Sequence, residues 1–265
     1  MRIGVFDSGV GGLTVLRALL QRIPAADYLY LGDTARLPYG AKSRDTVARY
    51  ATSSAKFLVS EGAEYLVIAC NTASALALDA IRDAVSVPVL GVVETGANAA
   101  DASSATRDVL VIATAATVES HAYAAACTAR QLRALEKACP LLVPLVEEGW
   151  IDHPVTAEVL RVYMSELLQQ ASDAALKPDT LVLGCTHYPL LQAQIERAVP
   201  PSLRVIDSAE VTAEQVAQTL GVGPPQPVRP GTRFFATDSV TKFRALGSRF
   251  LGQPIDGVEL VDLGG

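Results

Sequence analysis

Cysteine is scarce in this chain: four in 265 residues, Cys70, Cys127, Cys139 and Cys185, with no C-x-x-C pair. A disulfide-stapled scaffold is therefore excluded. A zinc site lacks ligands at workable spacing, although Cys185 and His187 are close. Lysine is equally sparse, at five, and none lies in the polar turns described below. A pyridoxal-phosphate Schiff base thus has no natural seat. No apolar run reaches the roughly 18 residues of a membrane span. Positive charge is in deficit, with a net charge of −6. That argues against nucleic acid or an anionic membrane as partner. The opening MRIGVFDSGVGG has no apolar core followed by a small-residue cleavage site. The expectation is a cytoplasmic protein with reduced thiols.

Apolar residues make up half of the chain and charged residues 19%, so a large core is within reach. Short β-rich runs alternate with helical patterns. Predicted strands are 2–6, 27–31, 65–69, 87–92, 108–113, 141–146, 180–184, 203–206 and 233–236. Several are apolar on both faces, as in a parallel sheet covered by helices. The fold class is α/β. VGPPQPVRPG (222–231) reads as a connection. The chain also echoes itself. YLVIACNTASALALDAIRDAV (65–85) lies over TLVLGCTHYPLLQAQIERAV (180–199), each reading strand, cysteine, hydroxyl-bearing turn, helix. RIGVFDSG (2–9) and DVLVIATA (108–115) form a weaker pair. Two similar α/β lobes follow.

Ligands of open α/β sheets bind beyond the carboxyl ends of the strands. Four polar turns fall there: Asp7-Ser8, Asn71-Thr72 after Cys70, Thr114 to Thr117, and Thr186-His187 after Cys185. Helix N-termini following such turns hold carboxylates or phosphates. They also lower a thiol from its free value of about 8.5, so both cysteines are expected where thiolate is favoured. GVFDSGVGGLT is not a phosphate loop, because no G-K-[ST] follows and Thr14 stands where a third glycine belongs. Glu147 follows another apolar run. His121 and His153 read as structural or solvated, Cys127 and Cys139 as packing residues, and Arg36 as a surface or loop-bracing residue. Two thiols from opposite lobes could flank one carbon. One, as thiolate, would take a proton, and the other would give one to the opposite face. That is cofactor-free inversion of a stereocentre, with Asp7, Glu147 and His187 placed to manage protons.

GVFDSGVGGLTVL, GDTARLPYG (32–40), ACNTASALAL (69–78), LVEEG (145–149) and GCTHYPLL (184–191) resemble the motifs of the glutamate racemases. The order is collinear to about residue 210, with a weaker likeness through 234–252. The resemblance implies two pseudo-symmetric α/β lobes with the site between them, 94–206 forming one, and 1–93 with 207–265 the other. It implies that Cys70 takes the proton from D-glutamate and Cys185 from L-glutamate, supported by Asp7, Glu147 and His187. It assigns substrate binding to Asp7, Ser8, Pro38, Tyr39, Gly40, Asn71, Thr72, Thr114, Thr117, Thr186 and His187. It implies D-glutamate for peptidoglycan, no cofactor or metal, and a homodimer. Ala113 stands where the family often has glycine. No extension of the kind that accompanies an activator requirement precedes Met1, so activity without an activator is expected. Two other readings stand beside this one. An aspartate racemase would differ by one methylene of substrate, and a binding module would keep the fold without the chemistry.

Overall fold

The structure is a computed structural model that describes residues 1–223 and 231–264. Most of the connection expected at 222–231 lies outside the described residues. Two parallel sheets organise the rest. The first six elements are β1 (Arg2–Asp7), α1 (Leu13–Arg22), β2 (Asp27–Gly32), α2 (Arg44–Ser60), β3 (Tyr65–Ile68) and α3 (Asn71–Ala84). β4 (Val89–Gly91) and α4 (Val92–Ser103) follow, and then β5 (Asp108–Ala113), α5 (Ala115–Glu119), α6 (Ala122–Thr128) and β6 (Arg133–Ala138). Next come α7 (Leu142–Glu147), α8 (Pro154–Asp173), β7 (Thr180–Gly184), α9 (Gln192–Ala198), β8 (Arg204–Asp207) and α10 (Ser208–Thr219). The chain closes with β9 (Thr232–Ala236), α11 (Val240–Leu251) and β10 (Glu259–Leu260). One sheet runs β10-β9-β2-β1-β3-β4, the other β6-β5-β7-β8, and every pairing among them is parallel.

The alternation of side chains along a strand explains why these runs are apolar throughout. Ile3, Val5, Tyr28, Tyr30, Tyr65 and Val67 enter one buried cluster, while Phe6, Leu29, Leu31, Leu66 and Ile68 enter another under α2 and α3. In the second sheet Leu110, Ile112, Leu181 and Leu183 join the first of these clusters. Val109, Val111 and Val182 face α4 and α6 instead. One apolar core is therefore continuous between the sheets. Gly4 is required by packing on the other face of β1, where an added Cβ would lie 2.6 Å from Leu66.

Three elements differ from expectation, one of them the two-residue β10, which extends the first sheet beyond the expected strands. Residues 141–146 were predicted as a strand but form α7. Leu142 and Val146, four apart, are the wholly buried pair, which is a helical spacing. The strand lies just upstream, as β6. It is an edge strand whose half-buried sequence RALEKA carries no β signature. The internal echo holds through strand and cysteine and then diverges. Cys70 caps a 14-residue helix, whereas Cys185 is followed by a turn, a short 3₁₀ segment at Tyr188–Leu191 and the 7-residue α9.

Candidate active site

Asp7 ends β1, Cys70 follows β3, Thr114 follows β5 and Cys185 follows β7. All four expected turns thus stand at the carboxyl ends of parallel strands, two from each sheet. The two halves touch. Thr72 Oγ1, at the start of α3, lies 3.0 Å from Thr114 Oγ1 and 3.2 Å from Thr117 Oγ1, which are themselves 3.0 Å apart. Thr14 Oγ1 donates to the carbonyl of Thr186 at 3.1 Å. Gly11 is pressed so closely against the other half that a Cβ would sit 2.3 Å from Thr186 Oγ1 and 2.6 Å from His187 Nδ1.

On the first side, the Cys70 thiol donates to Ser8 Oγ at 3.5 Å and accepts the Ala73 N–H at 3.4 Å. The expectation of a lowered thiol fails here. Burial pushes Cys70 up to about 12, and the nearby Asp7 carboxylate adds to it; the cap hydrogen bonds pull the other way and lose. Asp7, 1% exposed, is itself raised, first by burial. His187 and the backbone N–H groups of Gly9 and Gly12 oppose that shift. Its Oδ2 accepts from Gly9 at 2.8 Å. Its Oδ1 and Asn71 Nδ2 are buried without a hydrogen-bond partner among the described residues.

On the second side, Cys185 Sγ lies 3.9 Å from His187 Nδ1, and His187 Nε2 lies 3.1 Å from Glu147 Oε1. Burial alone would depress the imidazole. Its contacts with Cys185 and Glu147, and the charge of Asp7, carry it up to about 10. Glu147, at the end of α7 and not after a strand, is lowered, chiefly by its hydrogen bond to His187. Phe250 of α11 packs edge-on against the imidazole at 5.0 Å.

The GDTARLPYG loop folds over this region, with Leu37 within 3.2 Å of the Cβ position of Gly9. Pro38 is exposed. Tyr39 is buried and its hydroxyl donates to Asp33, so it faces the loop's interior; Gly40 is the part set against Thr114. Asp33 is the residue that sequence reasoning passed over. Fully buried, it also receives Arg36 Nε at 2.7 Å and Thr237 Oγ1 at 2.9 Å. Its only signal was being the lone acid of the motif. Arg36 accordingly braces the loop. His121 and His153 stand apart from the site, at the starts of α6 and α8, where His153 accepts the Val155 N–H and His121 pairs with Glu136. Cys127 and Cys139 are wholly buried.

Residues 3–216 match the family described as Asp/Glu/Hydantoin racemase. The chain is 53% identical to a glutamate racemase of Koribacter versatilis, over 99% of this chain and 98% of that one. The crystal structure of a glutamate racemase isoform from Bacillus anthracis superposes with a TM-score of 0.89 at 36% identity, covering 98% of this chain and 97% of that one. A Francisella tularensis glutamate racemase, solved in complex with D-glutamate, superposes at 0.88 with 35% identity over 99% and 97%. Two sheets meeting at their strand ends, each contributing one cysteine, therefore have a family: the chain belongs to the Asp/Glu racemases and, within them, to the glutamate racemases.

Proposed function

We propose that this chain interconverts L- and D-glutamate through Cys70 and Cys185, acting on opposite faces of the substrate Cα. The observation that carries this reading is the placement of one thiol at the tip of β3 and the other at the tip of β7, in two sheets whose strand ends touch at Thr72, Thr114 and Gly11. A thiolate on one side removes the Cα proton, and the C–H pair stays on carbon. The thiol on the other side gives its proton to the opposite face, so sulfur charge and proton exchange sides in each turnover. Cys70 serves D-glutamate and Cys185 serves L-glutamate.

The two flanks prepare their sulfurs differently. Cys70 rests as a thiol, and Asp7 is the carboxylate placed to take its proton. Beside Cys185, the His187 imidazolium held by Glu147 is placed to stabilise sulfur charge as it forms. The hydroxyls of Ser8, Thr72, Thr114, Thr117 and Thr186, the Asn71 amide and the backbone about Pro38, Tyr39 and Gly40 receive the substrate's charged groups. Residues 1–93 with 207–265 form one lobe and 94–206 the other. The enzyme acts in the cytoplasm as a homodimer and supplies D-glutamate for peptidoglycan. No helix among the described residues is long and apolar enough to cross a membrane.

Circular dichroism of L-glutamate with purified protein tests this. The signal should decay to zero, and in D₂O the product should carry deuterium at Cα. Cys70→Ser and Cys185→Ser should each slow racemisation by about 10²–10⁴-fold. Near-wild-type racemisation by either variant overturns the two-thiol reading. Decay with L-aspartate and not with L-glutamate would move the substrate to the shorter homologue.

A further inference from the structure

Asn71 opens α3 directly after Cys70 and is 3% exposed. Its amide can present either end to a ligand, since Oδ1 accepts and Nδ2 donates. The other lobe removes that freedom. Tyr123, on α6, is wholly buried, and its hydroxyl donates to Asn71 Oδ1 at 2.7 Å. No other hydrogen bond of that hydroxyl is present among the described residues. Burial, foremost, holds the phenol protonated far above neutral pH. A buried phenol has one proton to place, and the amide oxygen is the acceptor in reach. Turning the amide over would set N–H against O–H and leave that proton without an acceptor.

The ring is fixed as firmly as its hydroxyl. A Cβ on Gly96 of α4, or on Gly184 at the end of β7, would lie 3.0 Å from it. Two backbones therefore approach the tyrosine as closely as glycine permits, one of them adjacent to Cys185. With Oδ1 committed, Asn71 Nδ2 is left buried and unpartnered among the described residues, on the residue that stands between Cys70 and Thr72 at the start of α3.

We propose that Tyr123 is a positioning residue: reaching across the cleft, it locks the Asn71 amide with its N–H end toward the substrate, selecting a carboxylate of glutamate at that point. The inference rests on the reading of Asn71 as a substrate group. It requires Tyr123 to act through binding, since its hydroxyl makes no hydrogen bond to either thiol among the described residues.

Steady-state kinetics in both directions test it. Tyr123→Phe keeps the ring and removes the hydroxyl. KM for L- and D-glutamate should both rise about tenfold, with kcat within about threefold of wild type. In an Asn71→Ala background the same substitution should change KM less than about twofold, because the amide it orients is gone. Asn71→Asp keeps an acceptor for Tyr123 but replaces the donor, and should raise KM further than Tyr123→Phe. Unchanged KM in Tyr123→Phe, an equal effect in both backgrounds, or wild-type binding by Asn71→Asp would each overturn the inference. A wild-type protein that leaves glutamate unchanged would overturn the underlying reading, and this inference with it.

Discussion

Cys70 illustrates how far a side chain's chemistry can depart from its local motif. A helix N-terminus should favour thiolate, and the cap hydrogen bond from Ala73 is indeed present. Burial and Asp7 nevertheless push the thiol up to about 12. Iodoacetamide at pH 7.5 should therefore label Cys70 at least about 100-fold more slowly in the native protein than in urea, where the thiol returns to about 8.5. Equal rates, read by peptide mass spectrometry, would show that the native thiol is not raised above its free value. His187 gives the complementary case. Its folded value near 10 lies above its unfolded 6.5. The stabilisation from its charge is therefore whole below pH 6.5 and drains as pH rises through about 10. Glu147→Gln removes one of the partners that raise it. The variant should be less stable than wild type below about pH 6.5, with the gap between their urea midpoints closing as pH rises toward about 10. Superimposable pH profiles would show that Glu147 does not hold the imidazolium.

Among the elements, those that report their own burial were legible. β1, β2, β3, β5 and β7 are apolar on both faces because both faces are covered, and their sequences say so. α7 and β6 were not. LLVPLV is a short apolar run that periodicity cannot divide between helix and strand, and RALEKA is a half-buried edge whose strand state comes from pairing with β5. The loop at residues 32–40 was legible as a motif but not as a mechanism, because its anchor depends on a partner about 200 residues away. Asp33 binds Arg36, Tyr39 and Thr237 together. Asp33→Ala would leave the Arg36 guanidinium, 10% exposed, without its carboxylate. Unfolding stability should fall by about 3 kcal/mol, with KM raised through the loosened Gly40. Asp33→Asn, which keeps two hydrogen-bonding atoms, should lose less. A urea titration giving wild-type stability for Asp33→Ala would remove the anchoring role.

At the scale of the whole molecule, the paired cysteine motifs announced two halves, and the sheets bear that out. What the motifs could not announce is how closely the halves approach, since that distance belongs to neither alone. Beside the apolar core that runs between the sheets, small contacts join the halves at the site: Thr72 with Thr114 and Thr117, Thr14 with Thr186, Tyr123 with Asn71, and Gly11 against Thr186 and His187. A ligand gripping both sides adds its binding energy to them. At about 100 times Kd, glutamate should add about 2.7 kcal/mol, or roughly 5–10 °C in Tm for a chain of this size. Gly11→Ala separates that coupling from ordinary stability. The methyl group has no room, because Thr186 Oγ1 and His187 Nδ1 stand at 2.3 and 2.6 Å from where it would be. Either the halves part or those two side chains move, and both answers spoil the site while leaving each sheet intact. The variant should melt within a few degrees of wild type without ligand, lose most of the glutamate-induced rise, and fall at least about 100-fold in kcat/KM. A variant that kept the full rise and full turnover would show that the cleft accommodates the methyl, and that the contact at Gly11 does not set the separation of the halves.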